Sequence, residues 1–259
     1  MDGGEEMLDR IKRWIYGINE FSPDNFRYKF PEIIKFIPSE TPFSNLLLWE
    51  EALKILWNKK AIYSIEIWKD EDFEFYISSN RFERLRELAY RLSAVYPSSK
   101  LEFSKKAFPE AKGYVASGFL KLEGSYLGLK TLKDFDYDPL VHVVSAIRNS
   151  CIIQFLFKPE KLVIETFSGD YPIFRLRVAV SVFSDKWKEA RTECEIILRS
   201  FSVFNRYAKL KPVLSSMLRS STAIFKRIVK RRLSFFDGFR LNSSSLAAIA
   251  HFPIRGIEK

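Results

Sequence analysis

The sequence predicts an α+β protein in which antiparallel β-sheets pack against α-helices. Short segments alternate apolar and polar residues, as IYSIEIW does at 62–68, and this pattern is typical of half-buried antiparallel strands. Between them lie segments with apolar residues at helical spacing, and Pro42 and Pro139 stand where two of these helices begin. The 259 residues are 47% apolar, which is enough to form a folded core.

For the first part of the chain, the sequence predicts an N-terminal segment with an amphipathic stretch, LDRIKRWIYGI. Strands and helices follow this segment. Thr41 and Pro42 form a typical helix start, because the hydroxyl caps the helix and proline fits its first position. Asn80 is predicted to cap the next helix. The predicted elements, in chain order, are an extended segment at 26–37, helix 43–57, strand 62–68, strand 73–78, helix 81–95 and strand 100–104.

The second part repeats this order. Asp138 and Pro139 form another cap-and-proline start, and Ser184 or Asp185 is predicted to cap the last long helix. The predicted elements are strand 113–124, helix 140–149, strand 151–157, strand 173–183, a helix ending near residue 204 and strand 207–213. The order strand, helix, strand, strand, helix, strand therefore occurs twice, which is the ferredoxin-like pattern.

The predicted architecture is thus two ferredoxin-like (βαββαβ) halves with antiparallel sheets, plus a basic C-terminal tail. The predicted boundaries are 1–40 for the lead and first strand region, 41–112 for the first half, 113–213 for the second half, and 214–259 for a basic linker with a short strand and helix.

Positive charge is concentrated in one stretch of the chain. The formal net charge is +10, from 42 basic and 32 acidic residues. Between Ile196 and Phe236 there is no acidic residue, but there are ten basic ones, so the rest of the chain is balanced. A local excess of this kind indicates one surface for an anionic partner.

Within this stretch, basic residues recur at three- and four-residue spacing among apolar ones, which predicts one basic face on an amphipathic helix. Contact with the phosphate backbone of DNA is the first interpretation. Docking on an anionic membrane surface is the second, and a solvated face or a contact with an acidic protein is the third. The candidate nucleic-acid-binding residues are Arg219, Lys226, Arg227, Lys230, Arg231 and Arg232.

No motif in the sequence predicts catalysis, a cofactor or a metal site. The GxxxxG spacing at 113–118 lacks the lysine that reaches the phosphates in a nucleotide-binding loop. The run Asp134, Asp136, Asp138 lacks the glycine and glutamate of a calcium loop. The histidines (His142, His251) and cysteines (Cys151, Cys194) stand in no arrangement typical of a nucleophile or of zinc.

Two cysteines also exclude a disulfide framework. The acidic N-terminus lacks the apolar core of a secretory leader, and no run of about 18 apolar residues predicts a membrane span. These observations predict a cytoplasmic protein, either free or peripheral to the inner face of the membrane. A single glutamine beside many Lys, Glu and Arg residues is typical of thermophiles.

Several stretches resemble the N-terminal, pre-motor region of archaeal conjugative DNA-transfer ATPases of the HerA/FtsK type, relatives of type IV secretion motors. The likeness covers residues 62–254, and LNSSSLAAIAHFP near the C-terminus is its most specific piece. The other stretches that carry it are FEFYISSNRFERLRELAYRLSAVYPSSKLEF, LKTLKDFDYDPLVHVVSAI, IIQFLFKPE and FRLRVAVSVFSDKWKEARTECEIILRSFSVFN.

The resemblance implies a non-catalytic module that docks a motor ATPase and couples it to DNA or to a membrane channel. The chain ends at Lys259, where such a motor would begin, and it carries no Walker A sequence, so ATP hydrolysis is not expected of it. We therefore expect an accessory or assembly domain with a separate motor ATPase as partner, DNA as a further partner, and a homo-oligomer by analogy with ring motors. The alternative expectation is a stand-alone nucleic-acid-binding protein of a mobile element.

Overall fold

A computed structural model describes residues 3–21, 33–57, 60–104, 113–166, 169–233 and 237–254. The helices are α1 (Gly3–Ile15), α2 (Leu46–Trp57), α3 (Phe82–Val95), α4 (Leu140–Val144), α5 (Trp187–Ser200), α6 (Ser221–Lys230) and α7 (Ser243–Ile249). The strands are β1 (Asn19–Glu20), β2 (Ile33–Ile37), β3 (Tyr63–Lys69), β4 (Phe73–Ser79), β5 (Lys100–Ser104), β6 (Tyr114–Glu123), β7 (Cys151–Thr166), β8 (Gly169–Ser184), β9 (Lys209–Leu214) and β10 (Phe239–Asn242).

All strands of the described residues belong to one antiparallel sheet, so the protein is an α+β protein, as the sequence predicts. The first set of four strands lies in the order β3-β4-β2-β5, and the second set lies in the order β7-β8-β6-β9. When the strands of each set are numbered in chain order, they lie side by side in the order second, third, first, fourth. The two sets join where β3 pairs with β7, from Tyr63 opposite Phe157 to Lys69 opposite Cys151.

The sheet separates two hydrophobic clusters, because side chains of neighbouring residues point to opposite faces of a strand. On one side, which we call the front face, Ile153 and Val180 belong to the larger cluster together with residues of α2, α3, α4, α5 and α7. On the back face, Ile152 and Ala179 belong to a smaller cluster that includes residues of α6. The central strands are therefore buried on both sides.

Each end of the chain packs against the half that is more distant in sequence. Near the N-terminus, β1 pairs with β6 of the second set. Near the C-terminus, the indole of Trp49 in α2 donates a hydrogen bond to the Ala250 carbonyl oxygen at 2.7 Å. The Tyr96 hydroxyl, after α3, donates to the Phe252 carbonyl oxygen at 2.6 Å. Residues from both ends are therefore needed to complete the packing of the sheet.

The predicted elements are present, but several boundaries differ. The strands β7 and β8 form a hairpin that is much longer than the predicted 151–157 and 173–183. The first extended segment appears as β2, while residues 26–32 of that prediction lie outside the described residues. The helix predicted at 140–149 ends at Val144. It is short because the Glu193 carboxylate binds the N–H groups of Arg148 and Asn149 at 2.6 and 2.8 Å and turns the chain there.

Asn80 does not cap α3, although it was predicted to do so. The residue at that cap is Arg81, which makes no side-chain cap. The Asn80 side-chain oxygen instead accepts a hydrogen bond from the Ile62 N–H at 2.9 Å, so it holds the end of β4 beside the start of β3.

The segment predicted as a basic linker, 214–259, is packed against the sheet over its described part. Leu214 is the last residue of β9, α6 covers the back face, and β10 pairs with β8. The whole of α7 is buried. The basic residues are thus presented by an element of the fold itself.

Candidate nucleic-acid interface

The helix α6 lies on the back face of the sheet and owes its position to its own sequence. The Ser220 hydroxyl accepts a hydrogen bond from the Ala223 N–H at 3.2 Å and so caps the first turn. The apolar side packs inward, and the Phe225 ring meets the rings of Phe21 and Phe183 edge-on, with centroids 5.4 Å apart in each pair. The opposite side of α6 therefore faces outward.

That outward side and the two ends of α6 present five exposed cationic side chains, which we call the basic surface. They are Arg219, Lys226, Arg227, Lys230 and Arg232. Arg227 forms an ion pair with Asp237 at 2.7 Å, and its side chain is still half exposed. Five of the six predicted nucleic-acid-binding residues are thus brought together at the surface.

Arg231, the sixth predicted residue, is placed differently. It is only 6% exposed, and its backbone adopts the left-handed conformation, with φ of 45°, at the end of α6. This conformation turns the guanidinium into the protein, where it binds both oxygens of Glu66 at 2.6 and 2.8 Å. Arg231 therefore fixes α6 to strand β3 and is not part of the basic surface.

Glu66 is the centre of a buried polar network under α6. Besides Arg231, its carboxylate accepts hydrogen bonds from the side chains of Ser64 at 2.7 Å, Trp68 at 3.1 Å and Gln154 at 3.0 Å. Burial alone would raise the pKa of Glu66, but the Arg231 charge and these donors outweigh it and hold the pKa below its ordinary value. The pair is thus ionised inside the protein.

Arg177 in β8 holds the same C-terminal end of α6. Its guanidinium donates hydrogen bonds to the carbonyl oxygens of Arg227 and Arg232, both at 3.0 Å, and to Gln154 at 2.9 Å. These bonds satisfy carbonyl groups that the end of a helix leaves free. Burial lowers the pKa of Arg177 to about 10, and the charge of Arg227 contributes to this lowering. Its Nε has no hydrogen-bond partner among the described residues.

A cleft of about 380 Å³ opens beside α6, between that helix, strand β6 and the turn before β10. Four of its lining residues are cationic, one is a carboxylate and one is aromatic: Lys121, Arg177, Arg219, Arg227, Asp237 and Phe119. The Arg219 guanidinium lies over the Phe119 ring, 5.1 Å from its centroid. The cleft extends from the basic surface, at Arg219 and Arg227, to Arg177 in the sheet.

Sequence reasoning missed Glu66, Gln154, Arg177 and Lys121. A signal for three of them was present, because each is a polar residue inside an otherwise apolar strand segment: IYSIEIW, CIIQFLF and IFRLRVAV. Polar residues in central strands need partners when they are buried. The partners themselves come from α6, far along the chain, and no local pattern indicates them.

Three other residues that the sequence singled out, Asp134, Asp138 and His251, make hydrogen bonds within the fold. Asp134 forms a capping box with Thr131, and Asp138 accepts hydrogen bonds from the N–H of Leu140 at 2.8 Å and from His251 at 2.9 Å. His142 is exposed. The two cysteines are buried, and burial raises their thiol pKa values. In the described parts of the chain, no group of three or more His, Cys, Asp or Glu residues could hold a metal ion.

A second surface is formed by α1, whose polar side faces the protein. Asp9 accepts a hydrogen bond from the Trp187 indole at 2.6 Å, and Arg13 donates one to the Tyr114 hydroxyl at 2.8 Å. The apolar side faces outward and exposes Met7, Leu8, Ile11, Trp14 and Ile15. The side chains of Arg10 and Lys12 are exposed beside them. Within the described residues no helix combines the length and apolar character that a membrane span requires.

A family model described as a domain of unknown function (DUF8128) matches residues 48–163. The match begins in α2 and ends in β7, so it includes Glu66 and Gln154 but not α6 or the basic surface. No curated protein matches the chain.

Proposed function

We propose that the protein is a non-catalytic nucleic-acid-binding module that assembles with a DNA-translocating machine of the conjugation or type IV secretion kind. The observation that carries the first part of this proposal is the basic surface on α6. Its five exposed cations lie within 14 residues of chain, on a helix whose end is fixed to the sheet by Glu66 and Arg177. A cationic row on an ordered element suits contact with successive phosphates.

The fold-level part of the proposal is that the two sets of strands are ferredoxin-like repeats. It is supported by the strand order, in which each set arranges its four strands as second, third, first, fourth and all neighbours are antiparallel. In each set, helices follow the first and the third strand. This body supplies the surfaces for contact with a motor subunit.

The motor partner is proposed from the resemblance of residues 62–254 to pre-motor regions of HerA/FtsK-type ATPases. Affinity capture of the native protein from its own cells, followed by mass spectrometry, tests it. Recovery of a HerA/FtsK-type ATPase supports the assembly role. Recovery of nucleic acid without such an ATPase supports the alternative, a stand-alone nucleic-acid-binding protein of a mobile element.

Nucleic-acid binding is tested with fluorescently labelled duplex DNA, whose anisotropy is measured at several salt concentrations. Each phosphate contact contributes about −0.9 to the slope of log K against log salt. The double substitution Lys226→Glu and Lys230→Glu is therefore expected to weaken binding strongly and to make the slope shallower by about 1.8.

The matched control is Lys100→Glu with Lys133→Glu, which changes the net charge equally on exposed residues of β5 and of the turn before α4. It is expected to leave the slope near that of the wild type. If the two double variants lose affinity equally, the basic surface is not the binding site. If the wild-type protein binds no DNA at low salt, the proposal fails.

An anionic membrane surface is the second candidate partner, and the outward apolar side of α1 favours it. A helix that exposes Trp and large aliphatic residues next to cations is suited to the boundary between lipid headgroups and acyl chains. Co-sedimentation with vesicles of anionic phospholipid tests this, with zwitterionic vesicles for comparison. The change of Ile11 and Trp14 to Ser is expected to abolish sedimentation, whereas the same change of Leu47 and Leu48, exposed on α2, is expected to leave it intact. Equal sedimentation of both variants would contradict this second candidate.

A further inference from the structure

The cleft beside α6 exists because two strands pair with the same edge of β8 and leave a gap between them. The last β6 residue paired with β8 is Phe119, opposite Ala179. The first residue of β10 is Phe239, opposite Leu176. Within the described residues, Arg177 and Val178 therefore have no strand partner on this edge, and the cleft opens at Arg177.

Gly238 allows the turn before β10 to form one wall of the cleft. Its φ is +80°, and a Cβ atom at this position would overlap the Leu176 carbonyl oxygen. The turn can therefore approach the β8 backbone closely, and it places Asp237 next to Arg227 at the rim. This wall of the cleft is therefore set by backbone geometry.

The charges that line the cleft are unbalanced. Four cationic side chains face one carboxylate, and that carboxylate is engaged by Arg227. Among the described residues, Lys121, Arg177 and Arg219 form no ion pair with an acidic side chain. Arg177 is 95% buried, and within the described part of the chain its Nε has no hydrogen-bond partner. An anion in the cleft would offset this charge.

The cleft also has an apolar side, formed by Phe119 and Ile224. Phe119 is only partly buried, and its ring carries the Arg219 guanidinium. An aromatic ring beside arginine is the arrangement on which bases stack in proteins that bind single strands. A volume of about 380 Å³ is at the small end of ligand pockets and suits one nucleotide.

We infer that the cleft receives one nucleotide unit of a single-stranded nucleic acid, with its phosphate at Lys121 and its base stacked on the Arg219 guanidinium that lies over the Phe119 ring. This inference rests on the proposed nucleic-acid binding and adds a preference for single strands. In a duplex each base is stacked and paired inside the helix, so a duplex can contact only the basic surface. A single strand can contact that surface and also insert a base.

The experiment compares a single-stranded oligonucleotide with a duplex of the same length in anisotropy titrations. The variants are Phe119→Leu, which keeps an apolar side chain but removes the ring, and Lys121→Gln. The Phe119 ring positions the guanidinium on which the base stacks, so Phe119→Leu should weaken single-strand binding about tenfold. Duplex binding should stay within about twofold, since the basic surface is unchanged. Lys209→Gln, a charge removal at an exposed position of β9, is the control and should change neither.

The outcomes separate the two proposals. If the wild type binds neither form, nucleic-acid binding fails and the cleft inference fails with it. If it binds both, but Phe119→Leu and Lys121→Gln weaken both equally or neither, only the cleft inference is overturned. A thermal unfolding midpoint close to that of the wild type shows that a variant is folded. If Phe119→Leu is not folded, the result for Lys121→Gln decides the test. If a free mononucleotide displaces the strand at the strand's own concentration, the ligand is the nucleotide and the strand assignment is overturned.

Discussion

At the scale of single residues, the ion pair of Glu66 and Arg231 decides where α6 lies. Both side chains are buried, so each charge depends on the other and on the surrounding hydrogen bonds. Removal of one charge leaves the other in a low-dielectric site without compensation, which costs more than the loss of the pair as a whole.

We therefore expect Glu66→Gln to lower the free energy of unfolding by about 3–5 kcal/mol. The glutamine has nearly the same shape, so the loss reports the stranded charge of Arg231. Urea denaturation followed by circular dichroism measures it. The control is the double change Glu66→Leu with Arg231→Met, which removes both charges and should be less destabilising than Glu66→Gln. A loss below about 1 kcal/mol for Glu66→Gln would show that the pair is solvated.

Asp138 gives the protein a defined response to acid. Burial raises the pKa of its carboxyl, but His251 and the backbone N–H groups of Ile254 and Leu140 outweigh this and lower the pKa below its ordinary value. A carboxyl with a lowered pKa in the folded state stabilises the protein fully above its unfolded pKa. This contribution is lost as the pH falls through the folded pKa, that is, below about pH 4.

For Asp138→Asn we expect a loss of about 1–3 kcal/mol at pH 7, because the charge-assisted bonds to His251 and two backbone groups are weakened. The difference from the wild type should shrink between pH 4 and pH 2, where the wild-type carboxyl also becomes neutral. Urea unfolding at pH 7, 5 and 3 measures both effects. A difference that is constant across this range would exclude the carboxylate as its source.

At the scale of elements, α6 depends on its aromatic contacts more than on its length. A helix of ten residues is marginal in water, so packing on the sheet must keep it folded. Its ring contacts are made by Phe225, which is fully buried between Phe21 and Phe183.

Phe225→Ala should destabilise the protein by about 3–5 kcal/mol and should detach α6 before the rest of the molecule unfolds. Hydrogen exchange measured by mass spectrometry is expected to show faster exchange in residues 221–230 and unchanged exchange in α5. Affinity for duplex DNA should fall as well, since the cations lose their common face. Unchanged exchange in α6 would mean that the ion pair and the cap alone hold it.

The sequence predicts the elements well where their pattern is local. Alternation identified the central strands, and Asp138 with Pro139 identified the start of α4. The prediction for Thr41 was wrong, because its hydroxyl caps no helix and a 3-10 turn at Phe43–Asn45 precedes α2. It could not predict the end of α4, because that end is set by Glu193, more than forty residues later. For the same reason, the sequence analysis placed Arg231 among the nucleic-acid-binding residues, because its buried partner, Glu66, is 165 residues away in the chain. The ferredoxin-like repeat and the nucleic-acid role remain predictions.

At the scale of the whole molecule, the two halves share one sheet, and each end of the chain packs against the half that is more distant in sequence. The β3–β7 pairing joins them, and Phe252 from the C-terminal segment stacks against Phe36 of the first half, with ring centroids 4.9 Å apart. Neither half has a complete core of its own, so we expect the protein to unfold as one cooperative unit.

Phe252→Ala tests this. It removes a fully buried ring from the first half and should lower the free energy of unfolding by about 3–5 kcal/mol. Tryptophan fluorescence and far-ultraviolet circular dichroism should report the same reduced midpoint, as they should for the wild type. Two separate transitions, with only the first one shifted, would show that the halves fold independently.

The contact of α7 with the first half has a consequence for synthesis on the ribosome. Strands β2 to β5 are synthesised early. The hydrogen bonds of Trp49 and Tyr96 to the carbonyl groups of Ala250 and Phe252 can form only after the C-terminal segment has been synthesised. At about 5–20 residues per second, this wait lasts about 10–30 s. During that time the apolar side chains of the first half that pack against the C-terminal segment, Phe36 among them, stay uncovered. We expect the nascent chain to be a client of chaperones that bind exposed apolar surface.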